Sequence, residues 1–356
     1  MLRTLMPEPR EPAAGAAQPL IDVRDLRVQF DSEDGLIRAV DGVSFQVFPG
    51  QTVGIVGESG CGKSVTARSI LRIVDRQCAV TGEVHFRGRQ GVQDLMRLKP
   101  HSRQIRQIRG REIALVFQEP MTSFSPVHTI GSQIVETIRL HTALSAADAR
   151  RKAIEQLTQV RTPHPEHILD QYAWQLSGGL RQRAMIAMAL ACSPAVLIAD
   201  EPTTALDVTT QAQILELLRG LLRERRMALM LITHDLGVIA EMADVVLVMY
   251  LGTIVEQGPV DAIFHDPQHP YTQALLRSMP NVTATPRTRL ATLQGSVPHP
   301  ANRPPGCPFH QRCPSVVAGV CDRIIPVRRV VGPGHAASCH LHAHDEGTPV
   351  ESSVAV

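Results

Sequence analysis

The sequence predicts an α/β fold, in which parallel strands form one sheet and helices cover its faces. Short apolar runs of strand length alternate with segments of helical spacing, and a glycine-rich loop follows the first of them. Polar or charged residues directly follow most of the other runs. Because the carboxyl ends of parallel strands meet at one edge of a sheet, we expect these residues to converge there. The apolar runs cover residues 52–56, 113–117, 195–199, 227–233 and 245–250.

The glycine-rich loop fits the pattern G-x-x-x-x-G-K-[ST] without a mismatch. Backbone N–H groups in such a loop form an anion-binding nest, and the helix expected over 64–74 adds the positive end of its dipole. Lys63 would reach the β- and γ-phosphates of a nucleotide, and the Ser64 hydroxyl would ligate Mg²⁺. The alternative, a chance match in a turn, is disfavoured by the strand directly upstream. The predicted nucleotide-binding residues here are Gly57, Glu58, Ser59, Gly60, Cys61, Gly62, Lys63, Ser64 and Val65.

Composition limits the partners that the chain can have. A length of 356 residues favours a main domain of about 250 residues and an appendage. The net charge of +2 gives no reason to expect nucleic acid as a partner. The arginine-rich stretch at 97–111 has no interleaved aromatic residues, so we interpret it as a solvated helix face. No apolar run reaches the roughly 18 residues of a membrane span, and the N-terminus lacks the apolar segment of a signal peptide.

An antiparallel hairpin is predicted ahead of the loop, from alternating stretches at 23–30 and 39–47 around a polar turn. Phe30 lies at the end of the first strand. Packing is the usual role of such a residue, and a stacking surface for adenine is the alternative.

The segment after the second parallel strand is predicted to be a helical insertion at about 121–190. Gln118 lies where the crevice of a doubly wound sheet is expected, although a turn residue before Pro120 is the alternative. Ser145 starts a capping box for a helix that continues to about Val160.

Ser177, Gly178 and Gly179 precede another helix and predict a second oxyanion site, made of free N–H groups, a hydroxyl and a helix dipole. A simple N-cap would explain the serine alone. It would not explain the two glycines, which destabilise the first turn of a helix.

Three polar side chains follow the later strands. Asp200 and Glu201 end one strand, and His234 ends the next. We expect Asp200 to hold Mg²⁺, Glu201 to polarise the attacking water and His234 to contact the γ-phosphate. The alternative for His234 is a polar surface residue.

These motifs occur in an order that resembles the nucleotide-binding subunit of ABC transporters, and the Leu-Ser-Gly-Gly segment at 176–179 is the most specific of them. The resemblance implies an ABC-type P-loop NTPase, with a RecA-like core, an antiparallel β subdomain and a helical insertion. It implies an ATP site in which Lys63, Gln118, Glu201 and His234 act catalytically and Ser64, Gln118 and Asp200 hold Mg²⁺. Ser177, Gly178 and Gly179 would complete the site of a facing subunit, Asp207 would couple the two sites, and Phe30 would stack on adenine.

Residues 117–123, 200–208 and 269–276 resemble the oligopeptide and dipeptide importer branch of that family. This resemblance implies a second, different ATPase subunit, two transmembrane permease subunits and a periplasmic or extracellular solute-binding protein. The chain would then lie peripherally on the cytoplasmic face of the inner membrane. Nickel or another small solute is an alternative cargo. Two alternative functions of a different class are a soluble ABC ATPase that acts on ribosomes or DNA and an iron–sulfur redox sensor.

The C-terminal region is predicted to be small and irregular, and it contains Cys307, Cys313, Cys321 and Cys339 with the spacing C-x5-C-x7-C-x17-C. Four thiolates suit Zn²⁺ or an iron–sulfur cluster, but the C-x2-4-C pairs usual for zinc are absent. The same region resembles that of importer ATPases, some of which carry a [4Fe–4S] cluster. We therefore prefer [4Fe–4S], and zinc or free thiols remain open.

The expected domains follow from these assignments. A disordered leader covers 1–19, the nucleotide-binding domain 20–262, the four-cysteine region 263–345 and a disordered tail 346–356.

Overall fold

The computed structural model describes residues 18–33, 35–118, 123–204, 206–279 and 295–342. The predicted tail and nearly all of the predicted leader lie outside them. Within the described residues, four strands form an antiparallel sheet and eight form a mixed sheet. The strands are β1 (Ile21–Ser32), β2 (Gly35–Val47), β3 (Thr52–Val56), β4 (Ala79–Gly88), β5 (Gly91–Asp94), β6 (Ile113–Val116), β7 (Val196–Asp200), β8 (Ala228–Ile232), β9 (Val245–Tyr250), β10 (Thr253–Pro259), β11 (Arg329–Gly332) and β12 (His335–Ala337).

The mixed sheet has the order β11-β12-β10-β9-β3-β8-β7-β6. Strands β9, β3, β8, β7 and β6 pair in parallel. Every residue of β3, β7 and β8 is buried, as expected for parallel strands covered on both faces. The predicted parallel sheet is therefore present, and the carboxyl ends of β3, β6, β7 and β8 meet at one edge.

Helices connect these strands, and several of them begin where the sequence supplies an N-cap. Ser145, Asp207 and Asp235 each accept a hydrogen bond from a backbone N–H in the first turn of the helix that follows. The helices are α1 (Lys63–Ile70), α2 (Arg103–Ile108), α3 (Ile130–His141), α4 (Ala146–Gln159), α5 (Pro165–Leu169), α6 (Gly178–Leu190), α7 (Val208–Arg225), α8 (Leu236–Met242), α9 (Val260–His265) and α10 (Pro270–Arg277).

Two hydrophobic clusters fill the interior. One packs the helices α3 to α8 against one face of the mixed sheet. The other fills the space between the opposite face and the antiparallel sheet, around α1. The predicted hairpin is confirmed as β1 and β2, and the helical insertion as α3 to α6.

Several local predictions were wrong. Helix α1 ends at Ile70 instead of 74, because Arg72 adopts a left-handed φ of 57°. Strands β4 and β5 were not predicted. In the arginine-rich stretch Arg103 and Arg106 are exposed, but Arg109 turns inward and donates to Leu71 O at 2.7 Å and Arg72 O at 2.9 Å.

The C-terminal region is more regular than predicted, because β11 and β12 extend the mixed sheet beyond β10. A buried hydrogen bond fixes this edge, with His335 Nε2 2.8 Å from Glu256 Oε1. Burial alone would raise the pKa of Glu256, but hydrogen bonds from His335 and from the backbone N–H groups of Gln268 and His269 outweigh it and lower that pKa. The carboxylate therefore stays charged inside the protein.

Candidate nucleotide-binding site

The phosphate loop, residues 57–64, joins β3 to α1 and depends on glycine at two close approaches. Gly57 has a φ of 149°, and a Cβ there would lie 2.2 Å from Met249 O. Gly62 has a φ of 100°, and a Cβ there would lie 2.2 Å from Ala39 O. Any larger residue would displace the neighbouring backbone, so the loop can keep this shape only with glycine at both positions.

Lys63 lies inside the loop and is buried. Its ammonium donates to Gly57 O at 2.7 Å and to Glu58 O at 3.0 Å. The loop backbone therefore surrounds a positive charge at the N-terminus of α1. Backbone N–H groups, a helix dipole and an ammonium at one place form a site suited to phosphates.

Ser64 and Asp200 provide the oxygens suited to a divalent cation. Ser64 Oγ donates to Asp200 Oδ1 at 2.8 Å, which joins the first turn of α1 to the end of β7. Burial raises the pKa of Asp200, partly offset by the Ser64 hydrogen bond and the charge of Arg68. Among the described residues Asp200 Oδ2 accepts no hydrogen bond, and Arg68 Nη2 lies 3.9 Å away. A buried carboxylate oxygen without a donor, beside a hydroxyl, fits Mg²⁺.

Glu201 lies at the centre of the remaining predicted residues. Its carboxylate accepts hydrogen bonds from Gln118 Nε2 and Thr204 Oγ1, each at 2.9 Å, and His234 Nδ1 is 3.3 Å away. Its φ of 49° is left-handed, an unfavourable conformation that tends to occur at functional sites. The structure therefore brings Gln118, Glu201 and His234 together at one edge of the sheet. The contact from Thr204 was not predicted.

The predicted second oxyanion site lies at the start of α6. Ser177 is an N-cap whose hydroxyl accepts from Leu180 N at 3.4 Å, and both Ser177 and Gly178 are exposed. Gly179 packs against Thr210, since a Cβ there would lie 2.8 Å from Thr210 Cγ2. Because the serine and glycine are open to solvent, they can be reached by a second molecule.

Two further predicted residues lie at the margins of the site. Asp207 caps α7, and hydrogen bonds from the hydroxyl and backbone of Thr210 lower its pKa. Phe30 is half-buried on β1 opposite Ile37. A role for Phe30 at adenine, and for Asp207 in coupling two sites, stays a prediction.

Sequence reasoning missed two groups that bind the phosphate loop from outside. Tyr271 of α10 accepts a hydrogen bond from Glu58 N at 2.9 Å, and Arg312 pairs with the Glu58 carboxylate. No local pattern marks either contact, because Tyr271 and Arg312 are 213 and 254 positions from Glu58 in the sequence.

The four predicted cysteine ligands are free thiols, three buried and Cys313 half-buried. Burial raises the pKa of Cys307 to about 11, and the other three cysteines contribute. The sulfur of Cys321 accepts a hydrogen bond from Val317 N at 3.4 Å. Within the residues described, no group of three or more His, Cys, Asp or Glu side chains is placed to hold a metal ion. The predicted cluster is therefore not confirmed.

A parallel sheet with a phosphate loop, carboxylates at strand ends and a serine–glycine helix start defines an ATP-hydrolysing cassette. The family model described as "ABC transporter" matches residues 40–204, and "Oligopeptide/dipeptide transporter, C-terminal region" matches 255–321. The chain belongs to the ABC transporter ATP-binding family and is an ATPase.

Relatives match nearly the whole chain. The Sinorhizobium fredii protein named "Probable peptide ABC transporter ATP-binding protein y4tR" is 53% identical, over 90% of this chain and 94% of its own. The Escherichia coli dipeptide transport ATP-binding protein DppD is 48% identical, over 93% of this chain and 99% of its own.

A solved dimer of the ATP-binding cassette MJ0796, bound to ADP and Pi, is similar with a TM-score of 0.60 and 26% identity. The match covers 67% of this chain and 98% of that one. Among the helices of the described residues, none combines the length and apolar character needed to cross a membrane.

Proposed function

We propose that this chain is the energy-coupling ATPase of an importer for dipeptides or longer peptides. The observation that carries the proposal is the 48% identity to a dipeptide transport ATP-binding protein over 93% of this chain, including the C-terminal region. A nickel or other small-solute importer is the second candidate, because cargo is selected by other subunits.

In this proposal Lys63 and the loop N–H groups bind the phosphates of ATP. Ser64, Gln118 and Asp200 would hold Mg²⁺, which neutralises charge on the phosphates. Glu201 accepts the proton of the attacking water, and Gln118 and Thr204 hold its carboxylate in place. His234 Nδ1, 3.3 Å from Glu201, orients the same carboxylate and presents its ring at the sheet edge.

The proposed assembly follows from the exposed start of α6. Ser177, Gly178 and Gly179 would contact the γ-phosphate held by a second ATPase subunit of different sequence, so that ATP joins the two subunits. Two permease subunits and a solute-binding protein would complete the importer. The chain would act on the cytoplasmic face of the inner membrane and bind no nucleic acid.

Uptake in a strain that lacks this chain tests the proposal. We expect loss of labelled dipeptide uptake, restored by the unchanged chain and not by Glu201→Gln. Normal dipeptide uptake with loss of nickel uptake would favour the second candidate.

We also propose that Cys307, Cys313, Cys321 and Cys339 hold a metal centre, with [4Fe–4S] preferred to zinc. The hydrogen bond from Val317 N to Cys321 Sγ supports this, because hydrogen bonds to sulfur stabilise thiolates at such centres. Protein purified without oxygen should contain iron and sulfide and absorb visible light. Stoichiometric zinc in a colourless protein would contradict the iron–sulfur assignment.

A further inference from the structure

Glu58, the second residue of the phosphate loop, is bound by the C-terminal region. Arg312 makes a two-pronged ion pair with it, Nη1 to Oε2 at 2.7 Å and Nη2 to Oε1 at 3.0 Å. The Arg312 side chain is only 5% exposed and that of Glu58 24%. Paired charged hydrogen bonds of this geometry are among the strongest in proteins, and burial strengthens them further.

Aromatic side chains hold Arg312 in this position. Its guanidinium donates to the Tyr250 hydroxyl at 3.3 Å and lies 5.8 Å from the centre of that ring. Phe309 packs edge-on against Tyr250 and Tyr271, with ring centroids 5.3 Å apart in both pairs. Since these rings are almost fully buried, Arg312 cannot leave Glu58 without disturbing the packing behind it.

The same part of the loop is held from both sides. On the inner side, Lys63 binds the carbonyl oxygens of Gly57 and Glu58. On the outer side, the Tyr271 hydroxyl binds Glu58 N at 2.9 Å and Arg312 binds the carboxylate. Removing the outer contacts would leave this stretch fixed on one side only.

The charge of Glu58 gives Arg312 a second effect. A carboxylate in a loop that receives a polyphosphate repels that ligand unless a cation neutralises it. Arg312 supplies the cation, and the hydrogen bonds to Glu58, together with its charge, in turn raise the pKa of Arg312.

We propose that Arg312 is a positioning residue of the nucleotide site. Through Glu58 it fixes the phosphate loop and cancels a negative charge beside the phosphates, so that ATP binding depends on the folded C-terminal region. This inference rests on the proposed nucleotide site, because Glu58 affects ATP only if the loop binds it.

The test is equilibrium binding of a fluorescent ATP analogue with Mg²⁺ to the purified full-length chain. We expect Arg312→Gln to raise the Kd about tenfold, as befits loss of a charged hydrogen-bonded pair. The kcat at saturating ATP should change less than about twofold, because Glu201 and its partners are untouched.

Rescue separates charge neutralisation from a general packing role. Adding Glu58→Gln to Arg312→Gln removes the unpaired carboxylate, and we expect the Kd to return to within about threefold of the unchanged chain. Arg312→Lys should lose less affinity than Arg312→Gln, and high salt should reduce both defects. A double variant as weak as Arg312→Gln alone would overturn the proposal.

Arg328→Gln is the matched control. Arg328 also joins the C-terminal region to the cassette, through Ser44 O at 3.2 Å and Gln257 Oε1 at 2.6 Å, but neither partner is on the phosphate loop. We expect its Kd for the ATP analogue to be unchanged, and a loss of affinity equal to that of Arg312→Gln would overturn the proposal.

If Arg312→Gln does not fold, the variants Arg312→Lys and Tyr271→Phe are measured in its place. Unchanged Kd values in both of these variants would overturn the proposal. Lys63→Ala tests the site itself: normal ATP binding there would refute the nucleotide site, whereas loss there with no effect of Arg312 would refute this inference alone.

Discussion

The nucleotide-binding cassette and the C-terminal region differ in the interactions that hold each of them in place. In the cassette, backbone hydrogen bonds between buried parallel strands place the functional side chains at one edge. In residues 295–342 the strands are short, and β12 pairs with β10 over only a few residues, so side-chain contacts supplement that pairing in attaching the region to the cassette. Besides His335 with Glu256, three arginines make such contacts: Arg303 with Asp41 at 2.9 Å, Arg312 with Glu58, and Arg328 with Ser44 and Gln257.

This difference separates two kinds of residue. A side chain at a strand end can be changed while the sheet that positions it persists, so chemistry should fail in a folded protein. An arginine or cysteine of the C-terminal region holds the region itself, so its loss should alter ATP affinity or stability and leave the chemical step intact.

Glu201→Gln should have the largest effect. The amide cannot accept the proton of the attacking water, so we expect the steady-state ATPase rate to fall by about 10²–10⁴-fold while ATP still binds. Glu224→Gln, an exposed carboxylate on α7, is the control and should hydrolyse ATP normally. Hydrolysis by Glu201→Gln at the normal rate would remove Glu201 from this role.

Lys63→Ala should have the second-largest effect, which is a loss of nucleotide affinity. It removes the ammonium inside the phosphate loop, and we expect the Kd of a fluorescent ATP analogue to rise by about 10²-fold. Lys99→Ala, at an exposed lysine outside the site, serves as the control. Unchanged affinity in Lys63→Ala would place the nucleotide elsewhere.

The cassette was largely predictable because its signals are local. Strands β3, β7 and β8 are continuous apolar runs, and the residues that follow them converge because parallel strands share an edge. Strand β4 was missed because only Val84 and Phe86 of its ten residues are buried, which is too weak an alternation to detect.

The contacts between the two regions were not predictable from local patterns. Arg312 lies between Cys307 and Cys313, which were interpreted as metal ligands, and no residue near it in the sequence indicates a contact with Glu58. Arg109 was interpreted as a solvated residue for a similar reason, since its carbonyl partners Leu71 and Arg72 are 38 and 37 positions away. Pairing over such distances is decided by tertiary packing, which periodicity does not encode.

Cys321→Ser should disturb the C-terminal region directly and weaken ATP binding indirectly. The sulfur of Cys321 accepts from Val317 N at 3.4 Å, and its carbonyl accepts from Cys307 N at 2.8 Å. We expect the proposed metal content to be lost and the Kd for ATP to rise about threefold through Arg312. In the Arg312→Gln background the same change should add nothing to the Kd. Cys78→Ser is the control. If Cys321→Ser and Arg312→Gln raised the Kd additively, the cysteines would not act on the phosphate loop through Arg312.

The smallest expected effect concerns pH and His269, whose Nδ1 accepts from Tyr271 N at 3.0 Å at the start of α10. Burial lowers the pKa of His269 to about 4, despite the charge of Glu256, and His342 lowers it further. In the unfolded chain His269 therefore binds a proton near pH 6.5, whereas in the folded chain it binds one only near pH 4. The free energy of unfolding should fall as pH decreases through this window, by about 1 kcal/mol between pH 6.5 and 5.5.

His269→Asn isolates this contribution, because asparagine keeps a good N-cap for α10 and does not titrate. Thermal unfolding midpoints at pH 7.5 and 5.5 should differ less in this variant than in the unchanged chain, while its ATPase rate stays within about twofold at pH 7.5. The rate is expected to persist because His269 supports the C-terminal region and touches none of Lys63, Asp200 or Glu201. An equal loss of stability in both proteins would assign the pH dependence to other titratable groups.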